Sequence, residues 1–211
     1  MTHPPIQLFT FPTPNGIKVA IMLEECEQPY EVITVNILKG EQRKPDFLRI
    51  SPNNKIPALV DPHGPDSAPI AIFESGAILQ YLGRKTGRFY PAAERRRVTV
   101  EEWLFWQMAN LGAMGGQAHH YLKYATEKVP YAMKRFSDEM HRIYGVMDKR
   151  LTGRDHLADE YSIADMACFG WISRWKDQGV QIDDFSEVKA WLVRMQARPA
   201  VQRATLRVGA P

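Results

Sequence analysis

The chain has 211 residues, enough for one large domain or two modest ones. Its 45% hydrophobic and 24% charged residues match a globular protein with a real core, and a net charge of +3 is too slight to argue for a nucleic-acid partner. No run approaches the about 18 uninterrupted apolar residues of a membrane span, the opening MTHPPIQLFT lacks the pattern of a secretory leader, and Cys26 and Cys168 stand in no metal spacing, so a cytoplasmic protein without structural disulfides or a bound metal is expected.

Taken in chain order, 6–11 reads as a strand, 17–27 as a helix and 30–35 as a β-branched strand. A short helix over 41–50, strands at 58–60 and 70–73 and a helix over 75–85 follow, giving a mixed sheet with helices packed over it. The segment 87–97 has the Gly, Pro and charge content of a linker, and Arg95 to Arg97 read as the solvated start of a helix. Helices are then expected over 98–126, 131–151, 163–178 and 186–197, with a short helical turn after Pro199. In YSIAD, Ser162 and Asp165 have the spacing of a capping box, and Tyr161 can staple onto Met166. The chain thus divides into an α/β domain over 1–86, a linker over 87–97 and an all-helical domain over 98–211.

Three segments of the first half can carry chemistry. TFPTPNGIK, residues 10–18, spans a strand-to-helix junction, where unpaired N–H groups and a partial positive charge favour an anion such as a thiolate. Thr13 and Asn15 can donate hydrogen bonds there, and Gly16 would let a ligand approach the backbone; alternatively, Asn15 only caps the helix and Thr13 only makes a turn. Pro57 stands directly before a strand: the commoner reading is a trans proline at the strand's first residue, whereas a cis bond would turn the Ile56 backbone outward as an open edge. Glu74 and Ser75 sit where a strand meets a helix; they can hold a ligand ammonium and carboxylate, or be a solvated side chain and a helix cap. Lys39, Arg43, Lys44, Arg49 and Lys55 form a basic run suited to an acidic small molecule or to a solvated face.

The order of these signals resembles that of a soluble glutathione transferase, over essentially the whole chain. TPNG at 13–16, KGEQ at 39–42, FLRISPNNKIPALVD at 47–61, FESGAILQYL at 73–82, WLFWQ at 103–107 and VPYAMKRF at 129–136 are similar to the bacterial Nu class, glutathione-dependent disulfide-bond reductases related to a fungal nitrogen regulator. The resemblance implies a thioredoxin-like first domain with a cis-proline at Pro57, a helical second domain and a homodimer. It implies glutathione as cosubstrate, with no metal, and small disulfides as partners. It places Thr13 and Asn15 at the glutathione sulfur, and Gln42, Ile56, Glu74, Ser75 and Arg135 on the rest of the tripeptide, with Lys55 as an additional contact.

Segment 10–18 then supplies hydrogen bonds and no nucleophile or strong base, so anion stabilisation must activate the thiol. The implied reaction uses one bound thiolate and a second glutathione that resolves the mixed disulfide. Gly112, Gly115 and Gly116 either give the width for two tripeptides or permit close helix packing. A transferase that conjugates small electrophiles and a non-enzymatic regulator of the same fold are the alternatives.

Overall fold

The structure, a computed structural model, describes residues 4–209. It divides into two units, one running up to Arg88 and resuming at Pro199, the other spanning Phe89–Arg198.

The first unit begins with β1 (Ile6–Thr10), α1 (Gly16–Glu25) and β2 (Tyr30–Thr34). Short helices follow, α2 (Pro45–Leu48) among them, and then β3 (Ala58–Asp61), β4 (Ile70–Phe73) and α3 (Ser75–Thr86). The four strands lie in the order β2-β1-β3-β4; β1 runs parallel to β2, and the other two neighbouring pairs are antiparallel. This is the thioredoxin-like arrangement. Ile6, Leu8 and Thr10 alternate into the core as a half-buried strand requires.

The expected helix over 41–50 is instead two pieces, a 3₁₀ turn at Glu41–Arg43 and then α2. Pro45 explains the break, because the residue before a proline is driven out of helical geometry and Lys44 takes φ −67°, ψ 143°.

Helix α1 has no solvent face, and every residue from Gly16 to Glu24 is buried. It packs on α3 and on α9 (Pro199–Val208), which closes the described chain. The expected turn after Pro199 is a helix of 10 residues, and it belongs with the first unit rather than with a helical domain reaching 211. Its buried stripe of Ala200, Val201, Ala204 and Val208 has helical spacing. Glu24 anchors it, accepting from Arg203 Nε at 2.7 Å and the Tyr30 hydroxyl at 2.9 Å and forming an ion pair with Arg207 Nε at 3.4 Å.

The second unit contains α4 (Glu94–Trp106), α5 (Ala113–His119), α6 (Pro130–Leu151), α7 (Ile163–Ile172) and α8 (Ser186–Ala197). Gln107–Gly112 and His120–Tyr124 are wound as π-helix, so the helix expected over 98–126 is a succession of α and π segments. The helix expected over 163–178 ends at Ile172, and a 3₁₀ turn at Trp175–Gln178 follows. The capping box forms: Ser162 Oγ accepts from the Ala164 N–H at 3.3 Å, and Asp165 Oδ2 accepts from the Ser162 N–H at 3.1 Å. Buried Asp165 also accepts from the Leu157 N–H and Trp191 Nε1, so one carboxylate caps α7 and fastens α8. Tyr161 packs on Phe89 and His156, with the Arg198 guanidinium 3.6 Å from its ring centre.

Candidate functional site

The strand register brings the first-unit candidates to one end of the sheet. Phe9, near the end of β1, pairs with Ala58 at the start of β3, which pairs with Phe73 at the end of β4. Residues 13–16, Ile56 and residues 74–75 therefore leave the sheet at the same edge. There the scaffold fixes the strand ends and the connecting segments offer functional groups.

At the tip of α1 the helix is capped by Thr13, with its Oγ1 accepting the Gly16 N–H at 3.0 Å. Asn15 occupies the capping position but makes no side-chain bond to the helix end. Sequence alone made Asn15 the natural cap, and the structure assigns that role to Thr13. The Thr13 hydroxyl is thereby oriented by an N–H donor, while its own proton has no acceptor among the described residues. No acidic side chain lies in the first turn of α1 to offset its positive end.

Gly16 serves a different purpose from the one expected. A Cβ there would lie 2.3 Å from Thr10 Oγ1 and 2.4 Å from the Phe11 carbonyl oxygen. The residue is buried, so glycine here lets α1 start hard against the end of β1 and does not open the backbone to a ligand.

The Ile56–Pro57 bond is cis. The N–H and C=O of Ile56 make no backbone hydrogen bond among the described residues, although the ladder begins two residues later at Ala58. Its side chain packs against Val35, Phe47 and Ala58, which fixes the exposed peptide edge from beneath. The adjacent Lys55 carbonyl accepts from buried Ser51 Oγ at 2.9 Å, whereas the Lys55 side chain is exposed and forms no ion pair among the described residues. Gln42 follows β2, which ends at this same edge, and its side-chain Oε1 is buried with no hydrogen-bond partner among the described residues. An orphaned acceptor of that kind costs free energy until a donor reaches it.

Glu74 begins α3 in a left-handed conformation, φ 68° and ψ 115°, which a residue with a Cβ adopts only when its surroundings enforce it. Its exposed carboxylate accepts from Asn53 Nδ2 at 3.4 Å. Ser75 is not the helix cap, because α3 has no side-chain cap bond and no acid in its first turn. Instead Ser75 is buried and receives a hydrogen bond at 3.4 Å from Lys18 Nζ.

Lys18 escaped the sequence reading, since a lysine on a helix is presumed solvated. The available signal was its place inside the continuous apolar run of α1; only 1% of the residue is exposed.

The basic run is partly neutralised. Lys44 pairs with Glu41 at 3.1 Å and Arg49 with Asp46 at 2.5 Å, which leaves Lys39, Arg43 and Lys55 as exposed cations.

Arg135 belongs to the second unit, on α6. It lines a depression of about 880 Å³ with Met114, Tyr131, Lys134 and Arg142, and makes no hydrogen bond or ion pair among the described residues. Of Gly112, Gly115 and Gly116, the first two are packing residues, whereas a Cβ at Gly116 would make only an ordinary contact with Trp171 at 3.7 Å. A Cβ at Gly115 would meet the Trp171 ring at 2.7 Å, and one at Gly112 would meet Gln107 Nε2 at 2.9 Å. Of the two readings of these glycines, close packing is the one found at both positions.

Neither thiol is in a disulfide. Cys26 and Cys168 are buried, and burial raises the Cys26 thiol pKa, which disfavours a nucleophilic thiolate there. Among the described residues no group of three or more His, Cys, Asp or Glu side chains can hold a metal ion, and no helix is long and apolar enough to cross a membrane.

Comparison with known proteins agrees with this layout. The family model for the glutathione S-transferase N-terminal domain matches residues 4–84, and that for the C-terminal domain matches residues 114–199. The disulfide-bond oxidoreductase YfcG of Escherichia coli is 47% identical over 205 residues, covering 96% of this chain and 95% of the relative. A Pseudomonas fluorescens glutathione transferase family member, solved with two glutathione bound, superposes with a TM-score of 0.90 at 44% identity, over 95% of this chain and 92% of the other. A Pseudomonas putida glutathione transferase, solved with one glutathione disulfide per subunit, superposes with a TM-score of 0.90 at 40% identity, over 97% and 92% of the two chains.

Proposed function

The chain belongs to the glutathione S-transferase family, and from that premise we propose that it is a glutathione-dependent disulfide-bond reductase. The observation that carries the reading is the Thr13 hydroxyl, held by the Gly16 N–H with its own proton unclaimed among the described residues. Such a group can donate to a sulfur at the positive end of α1, with Asn15 beside it. It cannot remove a proton, so the thiol is activated by stabilising its anion.

The rest of the tripeptide has chemically matched partners. The free Ile56 peptide edge pairs with the cysteinyl unit, with Lys55 as a neighbouring cation. Gln42 takes a ligand donor on its orphaned oxygen. Glu74 accepts from the γ-glutamyl ammonium, while Ser75 and the uncapped first turn of α3 hold the γ-glutamyl carboxylate. Arg135, a guanidinium with no ion pair among the described residues, is a partner for a ligand carboxylate.

In the first step the bound thiolate forms a bond to one sulfur of a small disulfide, and the other sulfur leaves as a thiolate. A second glutathione thiolate then attacks the glutathionyl sulfur of the mixed disulfide. The remaining substrate thiolate departs, and oxidised glutathione is formed. The two electrons come from two glutathiones, and no protein cysteine takes part.

The matched solved relatives hold glutathione pairs or glutathione disulfide, which supports a site for two tripeptides. Exposed Val98 and Phe105, seven residues apart on α4, support a homodimer, and the two reduced thiols support a cytoplasmic setting. The test is a side-by-side assay with glutathione and either a small dialkyl disulfide or an aryl halide. Rapid reduction of the disulfide is expected, and strong activity on the halide alone would make the protein a conjugating transferase instead.

A further inference from the structure

The segment 11–15, between the end of β1 and the start of α1, carries Thr13 and is held by two glycines far apart in the chain. One is Gly16, pressed against Thr10 and the Phe11 carbonyl. The other is Gly209, directly after α9, where a Cβ would lie 2.9 Å from Pro12 Cγ and 3.2 Å from Pro12 Cβ. A proline ring is closed onto its own backbone and cannot swing aside as a flexible side chain would. Any push on it passes to the chain entering Thr13. Gly209 takes φ +93°, a left-handed conformation natural to glycine, and its N–H donates to the Thr205 carbonyl at 2.9 Å, closing the last turn of α9. That turn is itself anchored. Arg207 pairs with Glu24 and holds its guanidinium 4.6 Å from the Tyr30 ring centre, while Ala204 and Val208 are buried. The end of α9 is thus a fixed surface against Pro12.

We propose that Gly209 is a positioning residue for the thiolate site: the end of α9 backs Pro12, and that contact keeps the Thr13 hydroxyl where it can donate to the glutathione sulfur. This rests on the reading of Thr13 as a donor to that sulfur. Gly209 acts through Pro12 and touches no reacting atom. A donor to an anion works only within a narrow range of distance and angle, so the placement of the segment decides how well the thiolate is stabilised. The rest of the tripeptide is held by other segments, so Gly209 bears on ionisation of the thiol and not on the grip on the ligand.

The test applies thermal unfolding, steady-state disulfide reduction and titration of the bound glutathione thiol to variants of the intact chain. Gly209→Ala puts a methyl group against Pro12. Gly87→Ala is its control: Gly87 also has a left-handed φ, +67°, at the end of α3, but a Cβ there meets nothing within 4 Å. Both should lose about 2–4 °C in Tm, the backbone cost of a side chain at such a φ. Only Gly209→Ala should raise the half-ionisation pH of the bound thiol, by about 1 unit. Below that pH the change means about 10-fold less thiolate and about 10-fold slower turnover. Its glutathione KM should change less than about 3-fold. Pro12→Ala, which removes the ring that α9 backs, should shift the titration in the same direction, and this arm stands even if Gly209→Ala fails to fold. A Gly209→Ala protein that titrates and turns over like Gly87→Ala would leave Gly209 as a helix-ending residue only and overturn the proposal. So would a Pro12→Ala protein with an unmoved titration. A wild-type bound thiol that titrates like free glutathione would overturn the functional reading itself; a lowered wild-type value beside indifferent Gly209→Ala and Pro12→Ala would sink only this proposal.

Discussion

Thr13 does two jobs in this account, and replacing it with alanine tests both at once. The variant loses the bond from the Gly16 N–H, an N-terminal cap whose removal costs about 1 kcal/mol. For a chain of this size that corresponds to a fall in Tm of about 2–4 °C. Even from a starting stability of about 5 kcal/mol, the folded state would still outnumber the unfolded by hundreds to one. Loss of fold therefore cannot account for a large loss of turnover. If the hydroxyl also donates to the glutathione thiolate, turnover with a small disulfide should fall roughly 10- to 1,000-fold, the range spanned by a lost anion-stabilising donor. Thr13→Ser keeps both functions and should stay close to the parent on both measures. Asn15→Ala removes no cap bond, so it should lower turnover by a comparable factor with little of the Tm shift. The assay pairs steady-state disulfide reduction at saturating glutathione with thermal unfolding on the same preparations. A Thr13→Ala protein with the lowered Tm and full turnover would refute the reasoning, leaving Thr13 as a helix cap only.

Ser75→Ala should raise the glutathione KM while kcat at saturation stays near the parent value, because Ser75 holds a part of the ligand that does not react; a collapse of kcat at constant KM would contradict this. A Cys26→Ala, Cys168→Ala double variant should keep most of its reductase activity, since both thiols are buried; inactivity in a folded, glutathione-binding double variant would require an enzyme thiol in the mechanism. His119 is buried and its Nε2 has no hydrogen-bond partner among the described residues; burial lowers its pKa below the ordinary histidine value. The unfolded chain therefore takes up that proton first as pH falls through about 6.5, so stability should drop on acidification. A His119→Gln variant, measured by thermal unfolding from neutral to mildly acidic pH, should show a shallower drop, and an unchanged slope would rule His119 out as its source.

Much of the fold was legible because local chemistry and tertiary packing agree. The β-branched run at Tyr30–Thr34 is a strand, and Ser162 with Asp165 forms the expected box. Legibility failed where the third dimension decides. TPNG offers two cap-capable side chains, and only the turn geometry shows that Thr13 makes the bond. Nothing in the spacing reveals that the Phe11 carbonyl and Thr10 fill the space beside Gly16. Lys18 reads as a surface lysine until α3 is placed next to it. The Pro199–Val208 stripe announces a buried face, but not that α1 and Glu24 receive it. Of the site, the order of segments could be read from the chain, and the strand register explains why they converge on one edge of the sheet.

The claim at the centre of this account is that the tip of α1 stabilises a thiolate without a base. It is tested most directly by titrating the thiol of glutathione bound to the protein, following thiolate absorbance in the far ultraviolet against pH. Half-ionisation should fall clearly below the value of about 8.5 for an unperturbed cysteine thiol and should move back up in Thr13→Ala. A bound thiol that titrates like the free one, in both proteins, would contradict the account.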